Sequence, residues 1–305
     1  MRCKVIVNPN AGRRQLQKNL ENILGKLALE QGCSQIDIFR TVGFDCARKE
    51  AAKLEKGQYD FVIGCGGDGT LNEVVNGLMA SDSRIPLALL PAGTANDFGN
   101  YMRLPTDPVG FCQMIADFTL HEIDLGVANG RYFVNVAAFG MFADIPYKTK
   151  NRDKSILGKL AYYLRGLSDI PEQLFKTMDL YIEYGEEKQH KEGLLCIVSN
   201  SPTVGSMRRL LPRAKVDDGL LDMLLITKPE RMALDALFDT LINGDPFSVG
   251  AIHQAQISEA RFSVTDGKDI ELDLDGEHCG TLPLHVKVAP KALQLLVPQN
   301  SLIQR

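Results

Sequence analysis

The first part of the chain alternates short apolar runs with stretches in which apolar residues recur at helical spacing. The runs are residues 3–7, 36–39, 60–63 and 85–90, and the first helical stretch carries Leu16, Leu20, Ile23, Leu24 and Leu27 on one face. Further helices are predicted through residues 47–54 and 71–78, and Asp107-Pro108 begins another. Strands that alternate with helices predict a doubly wound α/β domain with a parallel sheet.

The pattern changes near residues 123–126, after which short strands and hairpin turns dominate. Asn129-Gly130, Asp266-Gly267 and Asp275-Gly276 are turn signals between apolar strands. They predict a second domain that is mostly β and sandwich-like, with helical stretches near residues 156–167 and 231–242. The last strand, 292–297, is apolar enough to return to the first sheet. We predict one domain of residues 1–124 completed by 291–305, a second of 125–290, and an active site in the cleft between them.

The segment from Ile63 to Glu73 joins a buried strand to an amphipathic helix and reads Ile-Gly-Cys-Gly-Gly-Asp-Gly-Thr-Leu-Asn-Glu. Three glycines within four residues, Gly66, Gly67 and Gly69, predict positive φ angles and exposed backbone N–H groups. The helix that follows adds the positive end of its dipole, which favours an anion. This glycine loop is therefore a candidate phosphate site.

Two common phosphate-binding motifs do not explain the glycine loop. Gly64-x-Gly66-x-x-Gly69 satisfies the dinucleotide pattern, but the next strand ends in Pro91-Ala92-Gly93 and lacks the acidic residue that binds ribose. The Walker A pattern is absent from the chain. Asp68 would repel a bare pyrophosphate, but it suits a Mg²⁺ ion held between a carboxylate and phosphates. The alternative is that Asp68 only caps the helix.

Three more polar loops follow predicted strands, at residues 8–12, 40–41 and 91–99. Ligands of doubly wound sheets bind at the carboxyl ends of the strands. We therefore expect these loops and the glycine loop to surround one site.

A pair of carboxylates, Asp275 and Glu277, lies near the C-terminus across a single glycine. The strand before them alternates apolar and acidic residues, which predicts that Glu271, Asp273 and Asp275 face outward. Two carboxylates this close repel each other, which raises the pKa of one and makes it a better general base. Asp-Gly is also a common hairpin tip, and the residues alone leave that alternative open.

Composition restricts the class of protein. The chain has 305 residues, of which 45% are hydrophobic and 24% charged, and its net charge of −4 argues against a nucleic-acid-binding protein. No apolar run approaches the roughly 20 residues of a membrane span, so we expect a cytoplasmic protein. Seven cysteines without a C-x-x-C pair and five scattered histidines give no support to a zinc site.

Four segments together carry a resemblance to a known family. They are residues 8–12 (Asn-Pro-Asn-Ala-Gly), 66–73 (Gly-Gly-Asp-Gly-Thr-Leu-Asn-Glu), 91–98 (Pro-Ala-Gly-Thr-Ala-Asn-Asp-Phe) and 274–277 (Leu-Asp-Gly-Glu). In order and spacing the chain resembles, over its whole length, the bacterial diacylglycerol kinase and lipid kinase family, which also includes sphingosine and ceramide kinases. The Gly-Gly-Asp-Gly-Thr element is shared with NAD kinases, whereas the third and fourth segments are more particular to lipid kinases.

The resemblance implies an enzyme that uses ATP and Mg²⁺ to phosphorylate a lipid hydroxyl, most simply diacylglycerol to phosphatidic acid. The residues that match the family's nucleotide-binding motifs are Asn8, Pro9, Asn10, Ala11, Gly12, Thr41, Gly67, Asp68, Gly69, Thr70, Leu71, Asn72, Glu73 and Thr94. Asp68, Asp97 and Asp124 match its acidic network around the catalytic Mg²⁺. Asp275 and Glu277 match the pair that supplies its general base, and the two rank nearly equal.

A second metal site is also implied by the resemblance. The Asp218 side chain and the main-chain carbonyls of Lys215 and Leu220 would hold a structural Mg²⁺ in the second domain. Asp217-Asp218-Gly219 is otherwise a common turn sequence. Residues 199–206 are less glycine-rich than the family's usual segment, which leaves the shape of the acceptor pocket open.

Two clusters of basic residues bear on contact with a membrane. Two basic clusters suit peripheral contact with the inner, anionic membrane surface, although each could be only a solvated face; they are Lys148, Lys150, Arg152, Lys154 and Lys159, and Arg208, Arg209, Arg213 and Lys215. The sequence does not decide whether the chain forms homo-oligomers. The alternatives to a lipid kinase are a kinase of the NAD type and a non-catalytic nucleotide- or lipid-binding regulator.

Overall fold

The computed structural model describes residues 1–140, 177–204, 210–227 and 251–299. The chain divides into two compact units, Met1–Leu125 with Pro290–Arg305, and Gly126–Ala289. Each unit is described by itself below.

The first unit is a parallel α/β sheet. In chain order it contains β1 (Arg2–Val7), α1 (Arg13–Leu29), β2 (Gln35–Arg40), α2 (Cys46–Ala51), β3 (Phe61–Gly66), α3 (Asp68–Ser81), β4 (Leu87–Pro91), α4 (Asp97–Tyr101), α5 (Pro108–Asp117) and the first part of β5 (Leu120–Ala128). The strands lie in the order β4-β3-β1-β2, all parallel, and Leu295 near the end of the last strand, β15 (Leu284–Leu296), pairs in parallel with Leu87. The predicted doubly wound parallel sheet is confirmed.

The central strands of this sheet are buried on both faces, which is why they are nearly continuous apolar runs. Every residue of β3 and of β4 is buried. The register pairs Val7 with both Arg40 and Cys65, and it pairs Gly66 with Pro91. The four loops after β1, β2, β3 and β4 therefore start at neighbouring positions along one edge, called the carboxyl edge below.

The second unit is antiparallel β. Besides the end of β5 and the first part of β15 it contains β6 (Arg131–Phe133), β7 (Val136–Gly140), β8 (Met178–Tyr184), β9 (Glu187–Ser199), β10 (Leu221–Thr227), β11 (Ile252–Ile257), β12 (Glu259–Val264), β13 (Glu271–Leu274) and β14 (Glu277–Thr281). The long strand β9 pairs with β7, β8 and β10, and β12 links β8 to β15. Phe139 and Phe262 meet edge to face at 5.2 Å between ring centroids in its core. The expected mostly β domain is confirmed.

One acidic residue of the β13–β14 hairpin lies differently from its prediction. Asp273 was predicted to face outward by alternation, but it is 3% exposed and its carboxylate accepts the N–H of Gly276 at 2.8 Å. That prediction is wrong, because the hairpin turn needs an acceptor there and the side chain folds in to supply it. The helices predicted near 156–167 and 231–242 lie outside the described residues. Among the helices that the structure does describe, none has the length and hydropathy of a membrane span.

Candidate active site

Asn8 organises the first loop of the carboxyl edge. Its backbone N–H donates to the Cys65 carbonyl at 2.9 Å, and its side-chain amide donates to the Thr70 hydroxyl at 3.1 Å. Its side-chain oxygen accepts the N–H of Asn10 at 3.0 Å. Asn8 thus ties the loop after β1 to the glycine loop, and Thr70 is buried by this contact.

The glycine loop is tight because backbones approach closely in it, and the predicted positive φ is wrong for Gly66 and Gly67. Gly67 has φ −90°, and a Cβ on Gly66 would lie 2.4 Å from the Thr70 side chain. A Cβ on Gly93 would lie 2.6 Å from the Cα of Gly67. Gly12 needs glycine for two reasons: its φ is +56°, and its Cβ would lie 2.8 Å from the Ala92 carbonyl oxygen. Only glycine lets these loops pack together.

Asp68 is the first residue of α3, whose N-cap position is Gly67. Its carboxylate accepts long hydrogen bonds from the backbone N–H groups of Asp97, at 3.2 Å, and Phe98, at 3.4 Å. Asp68 therefore lies at the start of α4 as well as of α3. Asp97 is the first residue of α4, whose N-cap is Asn96. Half-buried carboxylates of this kind are the hard oxygen donors that Mg²⁺ prefers, so the residues present fit that ion.

The last three residues of the glycine-loop motif, residues 71–73, contact the rest of the protein and not the solvent-facing side of the edge. Leu71 and Asn72 are each 1% exposed, and both side-chain oxygens of Glu73 accept backbone N–H groups, from Asp45 at 3.0 Å and Ala47 at 2.9 Å. Glu73 thereby closes the start of α2. Any contact that Leu71 makes with a ligand goes through its backbone.

The predicted site residues that face solvent come from three of the four loops. Pro9, Asn10, Gly12 and Thr94 are exposed, while Ala11 and the stretch Gly67–Gly69 are half-buried. A pocket of ≈ 380 Å³ opens beside them, lined among others by Gly12, Asn19, Gly93, Asn96 and Asp107. Thr41 is 8% exposed and donates its N–H to the Val7 carbonyl at 2.9 Å. No sequence motif marked Asn19 or Asp107 as a site residue; Asp107 was predicted only as the start of a helix, and it is the N-cap of α5.

Asp124 is fully buried, in β5. Its carboxylate accepts the backbone N–H of Lys291 at 2.7 Å, where Lys291 has a positive φ of 51°. This hydrogen bond holds β15 in place at Lys291, whose positive φ is a strained backbone conformation for a residue other than glycine. The structure does not give Asp124 the solvent-facing position of Asp68.

In the second unit, Asp275-Gly276 forms the tip of the β13–β14 hairpin, with φ of 49° and 93°. Both oxygens of Asp275 are used by backbone N–H groups: Val134 at 2.7 Å, Asn135 at 2.9 Å and Val136 at 2.8 Å. Such a carboxylate is stabilised as an anion, which makes it a weak proton acceptor.

Glu277 has a different environment. Its carboxylate accepts a hydrogen bond from the Arg131 guanidinium at 2.9 Å, and the two side chains are 25% and 33% exposed. Each carboxylate of the pair therefore has its own hydrogen-bond donors. No sequence motif pointed to Arg131, which lies 146 residues from Glu277 in the chain.

The loop that binds Asp275 is itself anchored by buried polar groups through Asn135. Asn135 is held by three bonds: its carbonyl accepts the Ser199 hydroxyl at 3.0 Å and the Asn200 N–H at 2.8 Å, and its side-chain oxygen accepts the Ser201 hydroxyl at 3.3 Å. The three partners are 0% exposed. The loop that binds Asp275 is thus fixed from both sides.

The loop proposed for a structural metal contains the turn Asp218-Gly219, where Gly219 has φ 76°. The Asp218 carboxylate accepts the N–H of Leu220 at 3.1 Å, and both Asp218 and Lys215 are exposed. Burial raises the pKa of the neighbouring Asp222 to about 6, and the charge of Asp218 adds to the rise. The Asp218 carboxylate and the main-chain carbonyls of Lys215 and Leu220 are oxygen donors of the kind that Mg²⁺ takes, so the proposed donor set fits that ion. In the described part of the chain, no cluster of three or more His, Cys, Asp or Glu side chains forms a metal site.

The chain matches two known families along its length. Residues 2–128 match the diacylglycerol kinase catalytic domain, and residues 136–297 match the YegS C-terminal NAD kinase beta sandwich-like domain. A diacylglycerol kinase of Staphylococcus saprophyticus is 32% identical over 98% of this chain and 96% of its own. A diacylglycerol kinase of Staphylococcus aureus strain MRSA252 is also 32% identical, over 98% and 93%.

Solved structures share the fold. A diacylglycerol kinase of Bacillus anthracis strain Sterne superposes with a TM-score of 0.76 at 24% identity, covering 98% of this chain and 97% of its own. Yeast NADH kinase complexed with NADH gives 0.58 at 9% identity, covering 100% and 86%. With the sequence match over nearly the whole length, the predicted resemblance is confirmed: the chain belongs to the diacylglycerol kinase catalytic-domain family of lipid kinases.

Proposed function

We propose that this protein transfers the γ-phosphoryl group of Mg²⁺-bound ATP to the hydroxyl of diacylglycerol, giving phosphatidic acid. The observation that carries the proposal is the open carboxyl edge built around Asp68, in a chain that matches diacylglycerol kinases over 98% of its length. No feature of the described residues favours NAD as acceptor over a lipid.

The phosphates of ATP are assigned to the backbone N–H groups of Gly67–Gly69 at the start of α3. A 14-residue helix whose N-cap carries no side-chain hydrogen bond offers its first N–H groups to an anion. Asn10, Gly12 and Thr94 lie on the exposed side of the same edge and complete the binding surface. Asn8, Thr70 and Glu73 support this surface through the hydrogen bonds described above.

Asp68 and Asp97 are the residues that would hold the catalytic Mg²⁺. The ion would neutralise phosphate charge as the γ-phosphoryl group is transferred. Asp124 would support the site from the core, by holding β15 through the backbone N–H of Lys291. The loop of Lys215, Asp218 and Leu220 would hold a second, structural Mg²⁺.

Glu277 is our choice for the general base that accepts the proton of the lipid hydroxyl. Its half-buried carboxylate is paired with the side chain of Arg131, whereas Asp275 accepts three backbone N–H groups. Asp275 then acts as a positioning residue that fixes the hairpin carrying Glu277.

Only Arg213 and Lys215 of the two basic clusters belong to the described residues, and both are exposed. Peripheral contact with a membrane and a cytoplasmic location stay part of the proposal.

The decisive experiment incubates the protein with γ-labelled ATP and Mg²⁺ against diacylglycerol, phosphatidylglycerol and NAD, and identifies the labelled product. We expect labelled phosphatidic acid that disappears with EDTA. Glu277→Gln should lower kcat by about 10²–10⁴-fold, the usual contribution of a general base. The matched control is Glu259→Gln, since Glu259 is also an ion-paired glutamate of the second unit, bound to Arg261 and His285. Label in NAD alone, or near-normal kcat for Glu277→Gln, would refute the assignment.

A further inference from the structure

The loop after β2 exposes two large apolar side chains at the carboxyl edge. Val42 is 91% exposed and Phe44 is 72% exposed. Thr41, directly before them, is buried. A phenyl ring held in water at the border of a ligand site is a ready contact surface for an apolar or aromatic part of the ligand.

Both ends of this loop are fixed to the elements that carry the proposed phosphate site. At its start, the Thr41 N–H donates to the carbonyl of Val7, the residue before Asn8. At its end, the N–H groups of Asp45 and Ala47 donate to the Glu73 carboxylate, which belongs to α3. The exposed residues between them are therefore held at a fixed distance from the start of α3.

The order of the strands gives the loop a definite place along the edge. The glycine loop follows β3, β1 is its neighbour, and β2 lies beyond β1 as the edge strand. Strands are about 4.8 Å apart, so the loop after β2 lies about 10 Å from the phosphate loop. A nucleotide that extends from the glycine loop toward β2 brings its base to Val42 and Phe44.

The loop carries an excess of positive charge. Arg48 and Lys49 share the single carboxylate of Asp45, with Lys49 at 3.4 Å, and Arg40, directly before Thr41, is exposed as well. These basic side chains would attract phosphate groups of a nucleotide and of an anionic membrane alike. The place of the loop beside the proposed phosphate site is what favours the base of a nucleotide as its occupant.

We propose that Phe44, with Val42 beside it, stacks on the purine ring of the nucleotide whose phosphates bind at Gly67–Gly69. This inference rests on the proposed ATP site and goes beyond it by naming the residues that recognise the base. Stacking of a base on an aromatic side chain is typically worth about 5- to 150-fold in affinity.

The test compares MgATP with Mg-tripolyphosphate, which has the phosphates but no base, by titration calorimetry. Phe44→Ala should raise the Kd for MgATP about 5- to 150-fold and change that for Mg-tripolyphosphate less than twofold, while Phe44→Trp retains the affinity for MgATP. The control is Leu29→Ala, because Leu29 is 88% exposed and ends α1, the helix that begins next to Gly12. That variant should bind both ligands like the wild type.

Three results would overturn the inference: unchanged MgATP affinity of Phe44→Ala, an equal loss for both ligands, or no binding of MgATP by the wild type. Reduced flotation of Phe44→Ala with phosphatidylglycerol vesicles at unchanged MgATP affinity would assign the loop to the membrane instead. The proposed lipid kinase activity can be refuted independently of this base contact. If Phe44 affects MgATP binding but no lipid is labelled, the base contact stands and the lipid acceptor is wrong.

Discussion

Replacing Asp275 with Asn tests whether this carboxylate holds the structure or takes the proton. Its two oxygens accept three backbone N–H groups, two from the loop between β6 and β7 and one from the first residue of β7. Asn keeps one acceptor oxygen and replaces the other with an NH₂ group that cannot accept a hydrogen bond. If the remaining oxygen stays with Asn135 and Val136, the N–H of Val134 loses its acceptor and meets another donor.

The magnitude follows from the bonds that are lost or weakened. A buried donor without an acceptor costs about 1–3 kcal/mol. The two remaining bonds lose their charge assistance, and bonds to charged groups contribute about 1.5–3 kcal/mol against about 0.5–1.5 for neutral ones. Because Asp275 is only partly buried, we expect Asp275→Asn to lower the free energy of unfolding by about 2–4 kcal/mol.

Glu277→Gln provides the contrast. Glu277 is paired with the partly exposed guanidinium of Arg131, and such ion pairs contribute roughly 0.2–1 kcal/mol. Urea unfolding followed by circular dichroism should therefore show a clear loss of stability for Asp275→Asn and less than about 1 kcal/mol for Glu277→Gln. Thermal midpoints should fall by roughly 5–15 °C for the first variant only. The reasoning is refuted if Asp275→Asn unfolds like the wild type, or if Glu277→Gln is the less stable of the two.

Three further predictions concern other parts of the chain. Gly93→Ala should abolish MgATP binding in calorimetry, because its Cβ would lie 2.6 Å from the Cα of Gly67, whereas Gly25→Ala, with nothing within 4 Å in α1, should bind normally and gain about 0.5–1 kcal/mol in urea unfolding. Asp222 has a raised pKa of about 6, so its contribution to stability is present below pH 4 and is lost as the pH rises through 6; in EDTA, Asp222→Asn should gain on the wild type from pH 5 to pH 8, by at most about 1.4 kcal/mol, and a constant difference would contradict this. Burial raises the pKa of the Cys65 thiol, so mass spectrometry after a thiol reagent should find it unmodified in the native protein and modified only in urea.

The parallel sheet and the loops at its edge could be predicted from the sequence because their signals are local. β3 and β4 are buried on both faces, so each is an unbroken apolar run, and a helix with its own 3.6-residue period follows each turn. Once the strands are known to be parallel, their carboxyl ends must share an edge. Asn8, Thr41 and the glycine loop could then be grouped without any contact being known.

Contacts between distant parts of the chain could not be predicted in this way. Asp275 binds Val134 across 141 residues, and Glu73 binds Asp45 across 28. Both glutamate and aspartate look, in sequence, like acids available to a metal or a substrate. Which acids serve the protein's own N–H groups depends on where the loops meet, and only the folded chain determines that.

The carboxylates of the motif can be ordered by how strongly the protein already holds them. Asp275 accepts N–H groups at 2.7–2.9 Å and Glu73 at 2.9–3.0 Å, both within the usual range, whereas the contacts of Asp68 are 3.2 and 3.4 Å. A carboxylate that makes short bonds to the backbone must give them up to bind a cation, and the loop it holds would then lose its support. The bonds of Asp68 to the start of α4 are the longer ones, and Asp68 also lies next to the N–H groups of α3 that would bind phosphate. For this reason we expect Asp68, among these three acids, to be the one whose substitution by Asn removes Mg²⁺-dependent nucleotide binding while leaving the stability of the fold within about 1 kcal/mol of the wild type.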